Sequence, residues 1–348
     1  MPTVKRKKSL PPPTAPKPAH FQTRKPKPRA PTRHTVAPLK FFDTIDKPEQ
    51  RQISGAARWF GYFEQERVQN QLPKPANKKN ERIKIAVLDT GIDLENPWIY
   101  NHICKIRCRP NEIACKDIDA KVTKSQYLDD ADIGNIADAI RHFATENDRV
   151  DIINLSFGFP KYDKRLKPIR EAVQYARAKN VLIFAAAGNE GGNHGMFWPA
   201  KLHEVGDVIS IHASDSDGNA SSFNPTPGLG GPICTLGEAV PSCELDERNL
   251  AVHRSSTSFA TPIAVAIAAI VLGFVGNVGM EGVPEDFESL KERLRTKAGM
   301  ERVLRTTCVL ADEKRRAKFS YITPWFLLDI EECSRIHIIA NELRGIPE

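Results

Sequence analysis

Four polar residues lie where a sheet-based site would place reactive groups. Asp89, Ser156 and Asn189 each follow a short apolar run at or just beyond its end, and Ser258 precedes a long apolar segment. At the start of a helix, unpaired N–H groups and the helix dipole favour developing negative charge. An activated hydroxyl at Ser258 would suit that environment.

The elements that must position these residues alternate along the chain. Short apolar runs at 83–88, 150–155, 181–186 and 207–213 predict four buried strands, and apolar residues at helical spacing predict helices at 133–144 and 168–180. A strand, helix, strand order indicates parallel pairing, so we expect an α/β fold with a parallel sheet and helices on both faces. Ligands of such folds collect at the carboxyl ends of the strands.

The segment 259–276 is long and apolar enough to be considered as a membrane span. It carries Thr261 and Pro262 in its first turn, is rich in Ala, and has no flanking basic anchors. These features favour a helix buried on all sides within the protein over a transmembrane helix.

The net charge of +7 is concentrated in one segment. Residues 1–40 hold 11 Lys or Arg, no acidic residue and 10 of the 26 prolines, which is typical of an extended, disordered arm. A cluster within this arm could be a nuclear address or a nucleic-acid contact, although a solvated linker is the simpler interpretation; it consists of Lys5, Arg6, Lys7 and Lys8. We expect no nucleic-acid binding beyond the arm.

The N-terminal segment MPTVKRKKSLPPPTAP has no apolar stretch typical of a secretory signal, so we expect an intracellular protein, in the cytoplasm, with reduced thiols. The seven cysteines are too few and too odd in number for a disulfide framework. Cys104, Cys108 and Cys115 lie close together but form no CxxC pair, so we expect no metal and no cofactor. Asp215-Ser216-Asp217-Gly218 lacks the later glutamate of a calcium loop and predicts a turn.

We therefore divide the chain into four parts: a disordered arm at 1–45, a helical lead-in at 46–80, a main domain at 81–280 and a helical extension at 281–348. The lead-in contains Trp59, Phe60 and Phe63, and the extension contains an amphipathic charged helix. We expect neither flanking part to carry chemistry of its own.

Several motifs occur in an order that resembles the subtilisin-like serine proteases, in particular the intracellular-type members of fungi. They are VLDTGID (87–93), DIINLSFG (151–158), AAAGNEGGN (185–193) with WPA (198–200), SSFNP (221–225) and STSFATPIA (256–264). The resemblance covers roughly residues 80–280. It implies a three-layer α/β/α fold and serine endopeptidase activity on a polypeptide substrate or peptide ligand.

The resemblance also implies roles for individual residues. Asp89 matches the acid that orients the catalytic imidazole, Ser258 the nucleophile, and Asn189 the amide that donates to the oxyanion. The segment Ser156, Phe157, Gly158 matches the backbone that pairs with an extended substrate and forms one wall of the specificity pocket.

Asp89-Thr90-Gly91 after an apolar strand would also suit an aspartic protease. That class needs two such carboxylates on a β-rich framework, and the chain has no second Asp-Thr-Gly or Asp-Ser-Gly. We therefore exclude this alternative.

The main departure from the family pattern is the catalytic base. Relatives carry a His-Gly-Thr-His-like segment between the Asp and Ser-Phe-Gly motifs, whereas this interval holds only His102 and His142, neither in such a context. The sequence around Asp119 and Ala120 reads as a join from which about two dozen residues are absent, enough for a helix and most of a strand. Ser256 is a second departure, since relatives carry glycine there; if the turn needs positive φ or close substrate approach, the side chain is unfavourable.

Two functional hypotheses stay open. One is a serine endopeptidase that uses Ser258, Asp89 and Asn189 with a base from a coding segment missing in this sequence. The other is a catalytically silent peptide-binding or regulatory module that keeps the groove but lacks the base. Loss of the histidine from such a triad costs about 10⁶ in turnover.

Overall fold

The computed structural model describes residues 40–41, 48–65, 70, 82–89, 130–228, 231–245, 251–276, 284–307 and 319–346. Of the predicted arm, the described part is Lys40–Phe41, which forms a short strand. The predicted join, His102 and the three neighbouring cysteines lie outside the described residues. The division into four parts stays a prediction.

The described elements have the following bounds. The strands are β1 Lys40–Phe41, β2 Ile85–Leu88, β3 Ile152–Leu155, β4 Phe157–Gly158, β5 Leu182–Ala186, β6 Ile209–Ser214, β7 Ile233–Leu236, β8 Val240–Leu245, β9 Ala251–Arg254 and β10 Ser320–Tyr321. The helices are α1 Gln50–Phe63, α2 Asp130–His142, α3 Lys167–Ala178, α4 Thr257–Gly276, α5 Phe287–Leu294, α6 Lys297–Thr307, α7 Trp325–Asp329 and α8 Glu332–Arg344.

A six-stranded sheet organises the main domain. Its strand order is β10-β7-β6-β5-β3-β2, and all neighbouring strands are parallel. The four strands predicted from the apolar runs are observed as β2, β3, β5 and β6, and the predicted helices as α2 and α3. The α/β fold with a parallel sheet is therefore confirmed.

The two faces of the sheet carry separate cores because strand side chains alternate. Leu182 and Phe184 of β5 pack on one face with α4 and the C-terminal helices. Ile183 and Ala185 of the same strand pack on the other face with α2 and α3. Helices thus cover both faces, as a parallel sheet requires.

Helix α4 is the one described helix that is long and apolar enough to cross a membrane. Core helices of soluble proteins can be equally long and apolar. In α4, 61% of the most apolar 18-residue stretch is buried inside the protein. Ala260, Ala264 and Ala268 are fully buried on the side packed into the core. This agrees with the predicted interior helix.

The C-terminal helices are joined to α4 through a buried arginine. Arg335 of α8 is 1% exposed, and its guanidinium lies 4.0 Å from the ring centre of Phe274 in α4. It donates hydrogen bonds to the carbonyl groups of Leu327, Leu328 and Ile330 at the end of α7. The charge is therefore satisfied by backbone oxygens and an aromatic face.

The fold contains a buried histidine that makes stability depend on pH. Burial within β6, with the nearby His203 as a smaller cause, lowers the pKa of His212 from 6.5 to about 3. Between these values the unfolded chain binds the proton and the folded chain does not, so stability falls as the pH is lowered, by up to about 1.4 kcal/mol per pH unit.

We expect His212→Leu to reduce this dependence. Urea unfolding from pH 6.5 to pH 4 should show a shallower loss of unfolding free energy in the variant than in the parent chain. His203, whose pKa is also lowered by burial, stays in both proteins and supplies a common background. Equal slopes in the two proteins would contradict the expectation.

Candidate active site

The predicted site residues lie together at the carboxyl edge of the sheet. Leu88 of β2 pairs with Leu155 of β3, so Asp89 and Ser156 are the next residues on adjacent parallel strands. Neighbouring strands are about 4.8 Å apart. Asp89 is exposed at this edge, whereas Ser156 is 6% exposed.

Ser258 is joined to Ser156 by two reciprocal hydrogen bonds. The Ser258 hydroxyl donates to the Ser156 carbonyl at 2.8 Å, and the Ser156 hydroxyl donates to the Ser258 carbonyl at 3.2 Å. Pro262, four residues after Ser258, has no N–H to donate to that carbonyl within the helix. The Ser156 hydroxyl therefore supplies a donor that the helix itself lacks.

A buried amide lies beneath this pair. Asn154, which is 1% exposed in β3, donates through Nδ2 to the Ser156 hydroxyl at 2.9 Å. The Ser156 hydroxyl thus receives one hydrogen bond and gives another, which fixes its direction. The sheet holds the start of α4 through this short chain of polar groups.

Asn189 lies beside the start of α4 with its donor open. Its Oδ1 accepts the N–H of Thr257 at 3.0 Å, which fixes the orientation of the amide. Its Nδ2 is buried and has no hydrogen-bond partner among the described residues. Thr257 also accepts the N–H of Gly188 through Oγ1 at 3.2 Å, so two bonds connect the loop to the helix.

Ser256 caps α4. It is fully buried, and its hydroxyl accepts the N–H of Ser258 at 2.8 Å, as an N-cap side chain does. The described non-glycine residues with positive φ are Asn180 and Ala239, so Ser256 does not carry the backbone strain considered for a glycine replacement. The serine supports the helix start instead of opposing it.

The predicted substrate wall pairs with an extended segment of the same chain. Strand β1 lies antiparallel to β4, with Lys40 opposite Gly158 and Phe41 opposite Phe157. The β4 residues Phe157 and Gly158 are buried. The backbone of this wall is therefore able to accept an added strand.

His142 is not placed to act as the base. It ends α2, and its Nε2 lies 3.7 Å from the Asp148 carboxylate. The N–H of Val150, two residues before β3, donates to the carbonyl of the neighbouring Phe143, which places His142 near the amino end of β3. Ser156 lies at the other end of β3, about 20 Å away at ~3.3 Å per residue. Within the described part of the chain, no histidine forms a hydrogen bond with Ser258, and His102 lies outside that part.

A cavity of about 620 Å³ lies away from these residues. Val181 and Leu182 at the start of β5 line it, together with Arg177, Asp207 and Lys297. It therefore opens at the amino end of the sheet, opposite the end that carries Asn189.

Three supporting residues were not identified from the sequence as parts of this site. Asn154 is a polar residue inside the apolar run of β3, and a buried polar residue in such a run is a usable signal. Ser256 and Thr257 are small hydroxyl residues at the start of a helix. This pattern predicts helix capping, but it does not predict the hydrogen-bond partners of the two residues.

Comparisons with known proteins cover Ser156, Asn189 and Ser258, whereas Asp89 precedes the range that the family model matches. The model of the "Subtilase family" matches residues 118–307. The subtilisin-like protease het-Q2 of Podospora anserina is 34% identical over 201 residues, covering 52% of this chain and 50% of the relative. Subtilisin DY of Bacillus licheniformis is 32% identical over 133 residues, covering 37% of this chain and 45% of the relative. The chain spans about half the length of these curated relatives.

Solved structures are also similar to this chain in fold, and one example follows. The epidermin leader peptide processing serine protease of Staphylococcus aureus aligns with a TM-score of 0.51 at 15% identity, covering 83% of this chain and 84% of that one. At this identity the likeness concerns the fold alone.

We expect Thr257→Val to destabilise the protein by about 1–3 kcal/mol, because the buried N–H of Gly188 would lose its acceptor. Thr261→Val is the matched control on the same helix. Thr261 is equally buried, but its hydroxyl only donates to the Thr257 carbonyl, so its loss leaves no N–H without a partner. Urea denaturation should give a clearly larger loss for Thr257→Val, and equal losses would contradict this interpretation.

Proposed function

Because the chain belongs to the subtilase family, we propose that it is a serine endopeptidase whose nucleophile is Ser258. The observation that carries the proposal is the open donor of Asn189. Its amide is oriented by Thr257 and keeps a buried Nδ2 without an acceptor beside the start of α4. A buried donor without a partner is costly, and it becomes useful where a transition state develops an oxyanion.

The reaction is acyl transfer through an acyl-enzyme. The Ser258 oxygen attacks the carbonyl carbon of the peptide, and the hydroxyl proton of Ser258 passes to a general base. The π electrons of the peptide carbonyl move to the carbonyl oxygen, which becomes the oxyanion of a tetrahedral intermediate. Collapse of this intermediate breaks the C–N bond, and the base returns the proton to the leaving amine. Water then attacks the ester carbonyl of the acyl-enzyme in the same way, and the carboxylic acid product leaves as the bond to the Ser258 oxygen breaks.

The Ser258 hydroxyl must change partner before it attacks. In the structure it donates to the Ser156 carbonyl. A base that removes the proton has to replace this contact, and we propose Asp89 as the carboxylate that orients such a base. The adjacent positions of Asp89 and Ser156 on β2 and β3 support this assignment.

The proposed substrate is an extended polypeptide that pairs with Ser156, Phe157 and Gly158. The antiparallel pairing of β1 with β4 supports this mode, since it shows that the β4 backbone accepts an added strand, and a bound substrate would take the place of β1. Main-chain pairing tolerates varied side chains, so this wall contributes to affinity more than to sequence preference.

A fluorophosphonate probe tests the proposal directly. The Ser258 oxygen displaces fluoride from phosphorus only if a base accepts its proton, so labelling requires a complete site. We expect labelling that disappears in Ser258→Ala and persists in Ser289→Ala, a change of an exposed serine on α5. Hydrolysis of a denatured protein substrate should follow the same pattern.

The silent peptide-binding module is the contrary outcome. It would bind peptides but remain unlabelled, and the coding sequence around Asp119 and Ala120 would be continuous. An in-frame segment encoding His-Gly-Thr at that point would instead supply the base of the enzyme.

We expect Asn189→Ala to lower kcat by about 10²–10³ with little change in KM, because the donor acts on the transition state. Asn193→Ala alters an exposed amide of the same loop and is the control. Steady-state kinetics on one peptide substrate measures both variants. A similar loss in the two, or a loss confined to KM, would count against the oxyanion role.

A further inference from the structure

The N–H groups in the first turn of α4 donate hydrogen bonds to the residue that caps the helix. Ser256 precedes the helix, and its carbonyl accepts the N–H groups of Phe259 and Ala260. Its hydroxyl accepts the N–H of Ser258 at 2.8 Å. Three N–H groups at this helix start are therefore satisfied by Ser256.

The N–H of Ser258 differs from the other two because of its position. It belongs to the proposed nucleophile, so it lies next to any tetrahedral centre that forms on the Ser258 oxygen. Asn189, on the adjoining loop, is fixed by Thr257 and presents a buried Nδ2 without a partner. Of two donors beside the nucleophile, the side-chain amide is open and the backbone N–H is occupied.

On the basis of the proposed function, we propose that Ser256 is a positioning residue that withholds the Ser258 N–H from the oxyanion. The Ser256 hydroxyl and the developing oxyanion compete for one donor. Because the hydroxyl is held in place before the reaction, transition-state stabilisation depends mainly on Asn189. Ser256 thus limits the rate of acyl transfer while it stabilises the helix.

Removing the hydroxyl should release the donor. We expect Ser256→Gly and Ser256→Ala to raise kcat at least about tenfold with little change in KM, since a single oxyanion donor contributes 10²–10³ in rate. Ser256→Ala removes only the hydroxyl, whereas Ser256→Gly also removes Cβ. An equal rise in kcat in both variants would therefore assign the effect to loss of the hydroxyl.

Binding of a transition-state analogue separates this effect from helix capping. A tripeptide aldehyde adds to the Ser258 oxygen, with the hydroxyl proton passing to the general base and the carbonyl electrons forming an oxyanion. The matching primary alcohol occupies the same groove without that addition. We expect both Ser256 variants to increase the ratio of alcohol to aldehyde dissociation constants at least about tenfold over the parent chain.

Thr296→Ala is the structural control. Thr296 caps α6 by accepting the N–H of Gly299 at 3.0 Å, so its loss also removes a cap. Melting temperature should fall in Thr296→Ala and in both Ser256 variants, whereas the aldehyde preference should rise only in the latter.

The outcomes separate this inference from the proposed function. A parent chain that is labelled by the fluorophosphonate, with unchanged or weaker aldehyde preference in the Ser256 variants, would overturn the inference alone. If neither the parent chain nor the variants are labelled and none prefers the aldehyde, both proposals fail. The inference is supported if the Ser256 variants are labelled by the fluorophosphonate faster than the parent chain and also show a higher ratio of alcohol to aldehyde dissociation constants.

Discussion

A proline inside helix α4 determines how the start of this helix is bonded to the sheet. Pro262 cannot donate to the carbonyl of Ser258, and the hydroxyl of Ser156 takes over that bond from the end of β3. The Ser258 hydroxyl returns a bond to the Ser156 carbonyl. The missing helix hydrogen bond is thus replaced by a bond between the helix and the sheet, located at the proposed nucleophile.

The same arrangement makes the position of Ser258 depend on neighbouring buried polar groups. Asn154 orients the Ser156 hydroxyl, and Thr257 bonds both to Asn189 and to the Gly188 N–H. In a low-dielectric interior each of these groups costs free energy when unpaired, so the network has one favourable arrangement. The open Asn189 amide can stay directed at one point because its neighbours are fixed.

The sequence was sufficient for the frame and for the residues at its edge. Apolar runs such as IINL and LIFAA gave parallel strands, and parallel strands bring Asp89, Ser156 and Asn189 to one edge. Strands β7 to β9 were missed because polar residues or proline interrupt the apolar pattern in their sequences ICTL, VPSCEL and AVHR. The bonds that fix the site join residues 69 and 102 positions apart, and no local pattern encodes such partners.

The two proposed functions, peptide binding and acyl transfer, differ by one proton acceptor. The wall at β4, the oriented Asn189 amide and the tie between Ser156 and Ser258 are built from sheet, loop and helix, and none of these contacts involves a histidine. A groove of this kind can therefore persist whether or not a base is present. Its stability comes from burial and backbone pairing, whereas turnover requires a group that takes the Ser258 proton away from the Ser156 carbonyl. The identity of that group decides between the two functions because every other contact serves both.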